Sequence, residues 1–245
     1  MTVGVVGDRS LANRIRETVR SHGIEDVDGS AGDIVAAAPD AVVAVGESAL
    51  LALVREGVSA PVLPVATGPG YGSVAGSDAE AATDALVAGE YDAELRTVLD
   101  VTVGGERVGR ALADVMLVTA EPARISEYAV RSNGERVARF RADGVVVSTP
   151  TGSHGYGRSA GGPLLEPGSG VVSVVAVAPF AVNLDHWVLS SDAPVELSVQ
   201  RDEGEVSLLL DDRTSRSVPP GTPVEIVADG RLELARPFGT RFFEG

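Results

Sequence analysis

Cysteine and lysine are both missing from this chain of 245 residues. Without cysteine the chain can form neither a disulfide nor a thiolate metal site, and it has no cysteine nucleophile. All 20 basic residues are therefore arginines. Because a Walker-type GxxxxGK[ST] loop needs its lysine to reach the nucleotide phosphates, the sequence excludes a site of that kind.

Positive charge is scarce relative to negative charge. The 35 acidic residues give a formal net charge of −15, which argues against non-specific binding to nucleic acid and against docking on an anionic membrane. An acid-rich chain without lysine is typical of adaptation to a cytoplasm of very high salt, where counterions screen the repulsion between carboxylates. The alternative is an ordinary acidic protein, but the total loss of lysine favours an extreme halophile.

Long hydrophobic runs are also missing. No apolar stretch approaches the roughly 18 residues that a membrane-spanning helix requires, and Met1 to Asp8 carry no basic segment of a signal peptide. Hydrophobic residues still make up 44% of the chain, which is enough for folded cores. We therefore expect a globular, cytoplasmic protein.

Short apolar strands alternate with helical patterns over the first ninety or so residues. The strands are predicted at 2–6, 41–45 and 61–65, while the segment 28–40 is compositionally loose. Such alternation is typical of a parallel sheet covered by helices. The sequence predicts a Rossmann-like α/β domain over residues 1–94.

The pattern changes after residue 94 to short alternating runs separated by turn signals. These signals include Asn133-Gly134, a strong indicator of a hairpin, and Asp229-Gly230, which separates predicted strands at 224–227 and 232–236. We predict a mostly antiparallel, sandwich-like β domain over residues 95–245. The fold class is then α/β + β.

The most informative stretch runs from Asp143 to Pro163. It begins with Asp143-Gly144, interpreted as an acidic turn, continues as an apolar strand at 144–148, and ends in two glycine-rich turns, STPTGS and SAGGP. Carboxylates can bind ribose hydroxyls, hydroxyl side chains donate hydrogen bonds, and glycines let backbone N–H groups approach a phosphate. A hairpin loop would explain a few of these residues but not the ordered set, so the stretch predicts a nucleotide site.

This stretch resembles the dinucleotide-binding motif of the NAD kinase family, DG…STPTGSTAY…SAGGP. The chain departs from it at His154-Gly155, where the family has Thr-Ala, and at Gly157-Arg158. The resemblance implies an α/β domain followed by a β-rich domain, with nucleotide bound between them and the extreme C-terminus packed back on the first. The dinucleotide-binding residues that it implies are Asp114, Asp143, Ser148, Thr149, Thr151, Gly152, Ser153, Tyr156, Ser159 and Asp211. His154 and Arg158 depart from the motif and are added as candidates because they lie within or next to the turn.

The family's catalytic GGDG motif is degenerate in this chain. The loop after strand 41–45 reads Gly46-Glu47-Ser48-Ala49. One alignment pairs Ser48 with the aspartate that activates the ribose 2′-hydroxyl in the family. The alignment shifted by one residue pairs Glu47 with it and is favoured because it keeps a carboxylate. Glu47 has a second interpretation, an acidic residue that begins a helix; Gly46 and Gly68 are the candidate phosphate-loop residues.

Two other family segments are altered. The family's ALNE run corresponds to residues 111–114, where the amide expected to read the base is missing and Asp114 keeps a carboxylate for ribose. In the family's Gly-x-Asn segment, Ala66 replaces the amide. The groups on the phosphate side are therefore altered more than those on the dinucleotide side.

Arg158 lies next to Tyr156 and the STPTGS turn. An arginine here would supply the positive charge that a phosphate needs in so acidic a protein. The alternative is a surface arginine that pairs with a carboxylate such as Glu166.

Two functions compete. The first is phosphorylation of the 2′-hydroxyl of NAD to give NADP, with ATP or polyphosphate as donor and Mg²⁺ to neutralise charge. The second is a catalytically impaired pseudokinase that binds NAD(P) in a regulatory or partner role. A lipid kinase of the same superfamily is disfavoured, because such relatives keep GGDG and lack the TPTGS run. The resemblance also implies a homodimer or homotetramer, and no protein-held metal is predicted.

Overall fold

The computed structural model describes residues 1–121, 124–181 and 183–238. The chain divides into two compact units. The first unit comprises residues 1–96 together with the chain from Arg231 on, and the second comprises residues 97–230. Two long strands, β5 (Asp92–Val103) and β15 (Pro223–Arg236), contribute residues to both units.

The first unit is a parallel sheet with helices. In chain order its elements are β1 (Thr2–Gly7), α1 (Arg9–Ser21), β2 (Glu25–Asp28), α2 (Ala31–Ala37), β3 (Ala41–Val45), α3 (Glu47–Glu56), β4 (Val62–Val65) and α4 (Ala79–Ala88). The strands lie in the order β2-β1-β3-β4, and Leu234 of β15 pairs with Val62 of β4, all in parallel.

The core of this unit explains its strand and helix pattern. β3 is buried at all five positions, as expected for a central parallel strand covered on both faces. Helix α1 places Ile15 and Val19 four residues apart on one face, and both pack with Val3 and Val5 of β1. The predicted α/β region is confirmed.

The compositionally loose segment 28–40 contains the end of strand β2 and the whole of helix α2. Helix α2 begins with a capping box, in which Ser30 accepts from the backbone N–H of Asp33 and the Asp33 carboxylate accepts from Ser30 N at 2.9 Å. The helix has only seven residues, of which Ala31 and Ile34 are the buried ones. So short an apolar stripe gives no periodic signal in the sequence.

The second unit is built from antiparallel strands. In chain order its further elements are β6 (Glu106–Ala111), β7 (Asp114–Thr119), β8 (Ser126–Ser132), β9 (Glu135–Ser148), α5 (Tyr156–Ser159), β10 (Val171–Pro179), β11 (Trp187–Ser190), β12 (Val195–Arg201), β13 (Val206–Leu210) and β14 (Arg213–Ser217). The path β14-β13-β7-β9-β8-β12-β15 is antiparallel throughout, and β10 adds to β9. The predicted fold class, an α/β region and a mostly antiparallel β-rich domain, is confirmed.

Strand β9 is the central element of the second unit. Its first part pairs with β8, and its last five residues, 144–148, pair with both β7 and β10. Val145 and Val147 are fully buried in the core on one face. The end of β9 is therefore fixed from both sides, and the glycine-rich turns follow directly from it.

Two dipeptides that were expected to form turns lie inside strands instead. Asp143-Gly144 is part of β9, and Asp229-Gly230 is part of β15. A Cβ added at Gly144 would lie 2.5 Å from the carbonyl oxygen of Leu117, and one added at Gly230 would lie 3.1 Å from Cβ of Val98. Both glycines therefore allow a close approach within a strand rather than a change of direction.

None of the helices in the described ranges is both long and apolar enough to cross a lipid bilayer.

Candidate functional site

The STPTGS turn follows β9 as a compact, hydrogen-bonded structure. Residues Gly152–His154 form one turn of 3-10 helix, and α5 begins at Tyr156. The backbone N–H of Ser153 donates to the carbonyl of Thr149 at 2.9 Å, and that of Gly155 donates to Gly152 at 2.8 Å. The turn is therefore held by its own backbone at the end of a rigid strand.

Three polar side chains stand in a row where this turn begins. Asp114 of β7 and Ser173 of β10 are the direct cross-strand partners of Ser148 at the end of β9. All three are buried. A Cβ added at Gly157 would lie 2.5 Å from Oγ of Ser148 and 3.9 Å from Oγ of Ser173, so α5 packs directly on the two serines.

Gly152 brings the turn onto Asp114. A Cβ at Gly152 would overlap the carbonyl oxygen of Ala113 and lie 2.6 Å from Oδ1 of Asp114, while a Cβ at Gly155 would lie 3.4 Å from Oδ2. The carboxylate of Asp114 therefore lies against residues 152–155. The structure brings together the acidic residue of the altered ALNE segment and the STPTGS turn.

Two hydroxyls of the turn are engaged in its own structure. Oγ1 of Thr149 donates to the carbonyl of Leu112 at 2.6 Å, and Oγ of Ser153 donates to the carbonyl of Pro150 at 2.7 Å while accepting from Leu165 N at 3.1 Å. Both side chains are fully buried, and Thr151 is buried as well. Thr149 and Ser153 thus shape the turn and tie it to its neighbours.

Asp211 holds the backbone that carries Asp114. Its carboxylate accepts three backbone N–H groups, from Leu112 at 2.9 Å, Ala113 at 2.8 Å and Asp114 at 3.0 Å. Burial raises the pKa of the Asp211 carboxyl above its ordinary value, and the three backbone donors oppose that rise. With both oxygens engaged, Asp211 acts on the site by fixing the position of Asp114.

The exposed members of the predicted site lie on and next to α5. Tyr156 is 60% exposed, Arg158 and Ser159 are exposed, and His154 is half-buried. Ser159 donates through Oγ to the carbonyl of Gly155 at 3.2 Å. Arg158 forms no ion pair with any residue in the described ranges. The pairing with Glu166 that the sequence suggested as an alternative is therefore absent among these residues.

Asp143 lies apart from this cluster. It is half-buried within β9, five residues before Ser148, and a strand rises about 3.3 Å per residue. Roughly 16 Å of strand therefore separates Asp143 from the STPTGS turn.

A second group of candidate residues lies in the first unit, where β3 leads into α3. Gly46 precedes the helix with a positive φ of 90°, and its N–H donates to the carbonyl of Val65 at 2.8 Å. Glu47 and Ser48 are exposed in the first helical turn, where the helix dipole favours negative charge. Gly68 is also exposed, with a φ of 95°, and nothing lies within 4 Å of where its Cβ would be.

Tyr71 contacts this group although nothing in the sequence predicted it. Its hydroxyl donates to Oε1 of Glu47 at 2.7 Å. The two residues are 24 positions apart and meet only because β3 and β4 are adjacent strands. Ser173 was missed for a related reason, because the pairing of β10 with β9 cannot be read from a single strand.

Among the described ranges, no cluster of three or more histidine, aspartate or glutamate side chains is arranged to hold a metal ion.

Comparison with known proteins points to one family. Residues 112–233 match the family described as the ATP-NAD kinase C-terminal domain. A NAD kinase of Methanospirillum hungatei is 30% identical over 151 residues, which are 62% of this chain and 56% of that protein. The chain spans about half the length of the curated relatives that it matches first.

Two solved structures share the fold. A NAD kinase from Archaeoglobus fulgidus in complex with ATP superposes with a TM-score of 0.79 at 23% identity, covering 96% of this chain and 93% of that one. A yeast NADH kinase complexed with NADH superposes with a TM-score of 0.83 at 15% identity, covering 98% and 84%.

Proposed function

Because the family match, the NAD kinase relatives and the solved structures support the NAD kinase family for this chain, we propose that it phosphorylates NAD to NADP. The observation that carries this proposal is the contact of the STPTGS turn with Asp114 at the ends of three paired strands. A carboxylate beside a glycine turn combines an acceptor for ribose hydroxyls with backbone donors for a phosphate.

Each predicted residue has a role in this proposal. Asp114 accepts hydrogen bonds from ribose hydroxyls, the exposed ring of Tyr156 stacks on a base, and Arg158 contacts a phosphate. Thr149 and Ser153 shape the turn, and Asp211 fixes Asp114. The remaining predicted contacts of the dinucleotide are Asp143, Ser148, Thr151, Gly152, His154 and Ser159.

The transfer itself is assigned to the loop before α3. O2′ of NAD attacks the γ-phosphorus of ATP, the bond from that phosphorus to its bridging oxygen breaks, and ADP leaves. The carboxylate of Glu47 takes the proton of the 2′-hydroxyl. Gly46, Gly68 and the first N–H groups of α3, including that of Ser48, face the donor phosphates. Mg²⁺ bound to the donor phosphates would neutralise their charge. With polyphosphate as donor, a shortened polyphosphate leaves.

Nucleotide binding without turnover is the second candidate. The loop lacks one or two glycines of the family's GGDG motif, with Ser48 and Ala49 following Glu47, and Ala66 takes a positive φ of 53° beside it. Each lost glycine adds a Cβ atom where a phosphate would approach the backbone. If these side chains exclude the phosphoryl donor, the chain is a pseudokinase with a regulatory or partner role.

A direct assay separates the two candidates. NADP formation is measured from NAD with Mg-ATP, and separately with Mg-polyphosphate, at about 1 M KCl to screen the acidic surface. We expect product, and about 100-fold less from Glu47→Gln because a general base contributes on that order. Binding of NAD without formation of NADP would exclude the kinase and support the pseudokinase. Failure of NAD, NADP and ATP all to bind would overturn both candidates.

Arg158 gives a second, independent test. We expect Arg158→Ala to weaken binding of NAD and NADP about tenfold, because a charge-assisted contact to phosphate is lost. Isothermal titration calorimetry at fixed salt measures both affinities. Arg136→Ala is the matched control, since Arg136 is an exposed arginine of β9 that lies beside the Asn133-Gly134 hairpin. Equal affinities for the wild type and Arg158→Ala would show that Arg158 does not contact the phosphate.

Self-association is part of the proposal as well. We expect a homodimer or homotetramer, and light scattering on the eluted protein measures the mass. A mass of 25.1 kDa, that of one chain, would contradict this.

A further inference from the structure

Tyr71 restrains the carboxylate of Glu47, the residue that the favoured alignment pairs with the family's aspartate. Glutamate has one more side-chain torsion than aspartate, so its carboxylate samples more positions. The hydroxyl of Tyr71 donates to Oε1 of Glu47 at 2.7 Å, and Tyr71 is only 7% exposed. This contact selects one orientation of an otherwise mobile, exposed side chain. Among the described residues, this hydrogen bond uses Oε1 of Glu47, so Oε2 of the same carboxylate remains able to accept a proton.

The loop that carries Tyr71 is itself held by two buried arginines. Arg96, 1% exposed, donates through Nη1 to the carbonyl of Gly70 at 3.0 Å. Arg236, 6% exposed, packs against Gly72, where an added Cβ would lie 2.8 Å from its Nη1. Tyr71 is thus fixed through the residue before it and the residue after it.

Glu94 joins the two arginines. Its Oε1 lies 2.9 Å from Nη2 of Arg96, and its Oε2 pairs with Nη1 of Arg236. Burial lowers the pKa of Arg96 to about 10, with Glu94 opposing the effect and Arg236 adding to it. The guanidinium therefore remains charged at neutral pH. Burying two cations around one carboxylate costs desolvation free energy, which well-placed ion pairs and hydrogen bonds must offset. Both guanidinium groups also contact the loop, at Gly70 and at Gly72.

We propose that Tyr71 is a positioning residue for Glu47. The inference rests on the proposed function, since it assigns to Glu47 the proton of the 2′-hydroxyl. Tyr71 holds Oε1, Oε2 faces the substrate, and the Arg96–Glu94–Arg236 cluster keeps Tyr71 in place. The Tyr71 hydroxyl compensates in this way for the longer side chain of Glu47.

Steady-state kinetics test this role. We expect Tyr71→Phe to lower kcat about tenfold with KM for NAD and ATP unchanged, because a misplaced catalytic group slows the chemical step rather than binding. In a Glu47→Gln background, Tyr71→Phe should lower kcat no further. Tyr91→Phe, which changes a partly buried tyrosine beside the core of the same unit, should have no effect. A higher KM with normal kcat, or a full additional loss in Glu47→Gln, would overturn the inference.

A structural readout separates this inference from the proposed function. In protein labelled with 3-fluorotyrosine, the chain's four tyrosines give four ¹⁹F signals, and Tyr71→Phe identifies that of residue 71. Glu47→Gln should shift this signal, while Glu56→Gln at the other end of α3 should not. An unchanged signal in Glu47→Gln would refute the contact. If the signal shifts but the protein makes no NADP, the proposed function is refuted, and only the contact between Tyr71 and Glu47 is supported.

Discussion

Gly152 tolerates no side chain, because the backbone of Ala113 and the carboxylate of Asp114 lie against it. We expect Gly152→Ala to lower the free energy of unfolding by about 1–3 kcal/mol, the usual cost of overpacking. It should also weaken NAD binding, since the turn must move away from Asp114. Urea unfolding measures the first effect and calorimetry the second.

Gly32 provides the control for that substitution. Its added Cβ would have no neighbour closer than 3.8 Å, and it lies within α2. Gly32→Ala should be neutral or slightly stabilising, because alanine is the better helix former. Wild-type affinity for NAD in Gly152→Ala would show that the turn does not depend on this contact.

Individual residues of the site were predictable to different degrees. The ordered motif identified the STPTGS turn, the correspondence with the ALNE run identified Asp114, and the structure brings the two together. It could not show that Asp211 would bind backbone N–H groups, that Ser173 would lie beside Ser148, or that Tyr71 would contact Glu47. Those contacts depend on strand pairing, which a single sequence does not specify.

At the scale of elements, the same local turn signal had different outcomes at different places in the chain. The Asn133-Gly134 hairpin joins β8 and β9 as predicted. Asp143-Gly144 and Asp229-Gly230 carry the same kind of turn signal, yet both lie within long strands where glycine permits a close approach. Glycine thus marks either a turn or a tight contact, and only the fold distinguishes the two.

The loop between β4 and α4 provides a prediction at this scale. Glu94→Gln removes the carboxylate that pairs with both Arg96 and Arg236, so two buried cations each lose an ion pair. We expect a loss of up to about 3–5 kcal/mol in the free energy of unfolding, the range for broken buried pairs. Chemical denaturation measures it.

Glu80 is the matched surface control. It pairs with Arg14 at 2.8 Å, and both side chains are about half exposed. Glu80→Gln should cost less than about 1 kcal/mol. If Glu94→Gln were no more destabilising than Glu80→Gln, the arginine cluster would not be what holds the loop.

For the whole molecule, the imbalance of charge is the dominant feature. The planar guanidinium of arginine can form a bidentate ion pair with a carboxylate, as Arg20 does with Asp26 and Arg139 does with Glu127. With 35 acidic and 20 basic residues, many carboxylates remain without such a partner. Mutual repulsion among them destabilises the compact state unless it is screened.

We therefore expect the thermal midpoint to rise by several degrees between about 0.1 M and about 2 M KCl, because the Debye length falls from about 10 Å to below 3 Å. Differential scanning calorimetry measures the midpoint. A variant with four exposed acids neutralised, Glu90→Gln, Asp92→Asn, Glu135→Gln and Glu225→Gln, should show a smaller rise and a higher midpoint at low salt. A midpoint that is flat or falls with KCl would contradict the halophilic interpretation. An equal rise in the variant would show that KCl acts through general salting-out rather than through screening of the carboxylates.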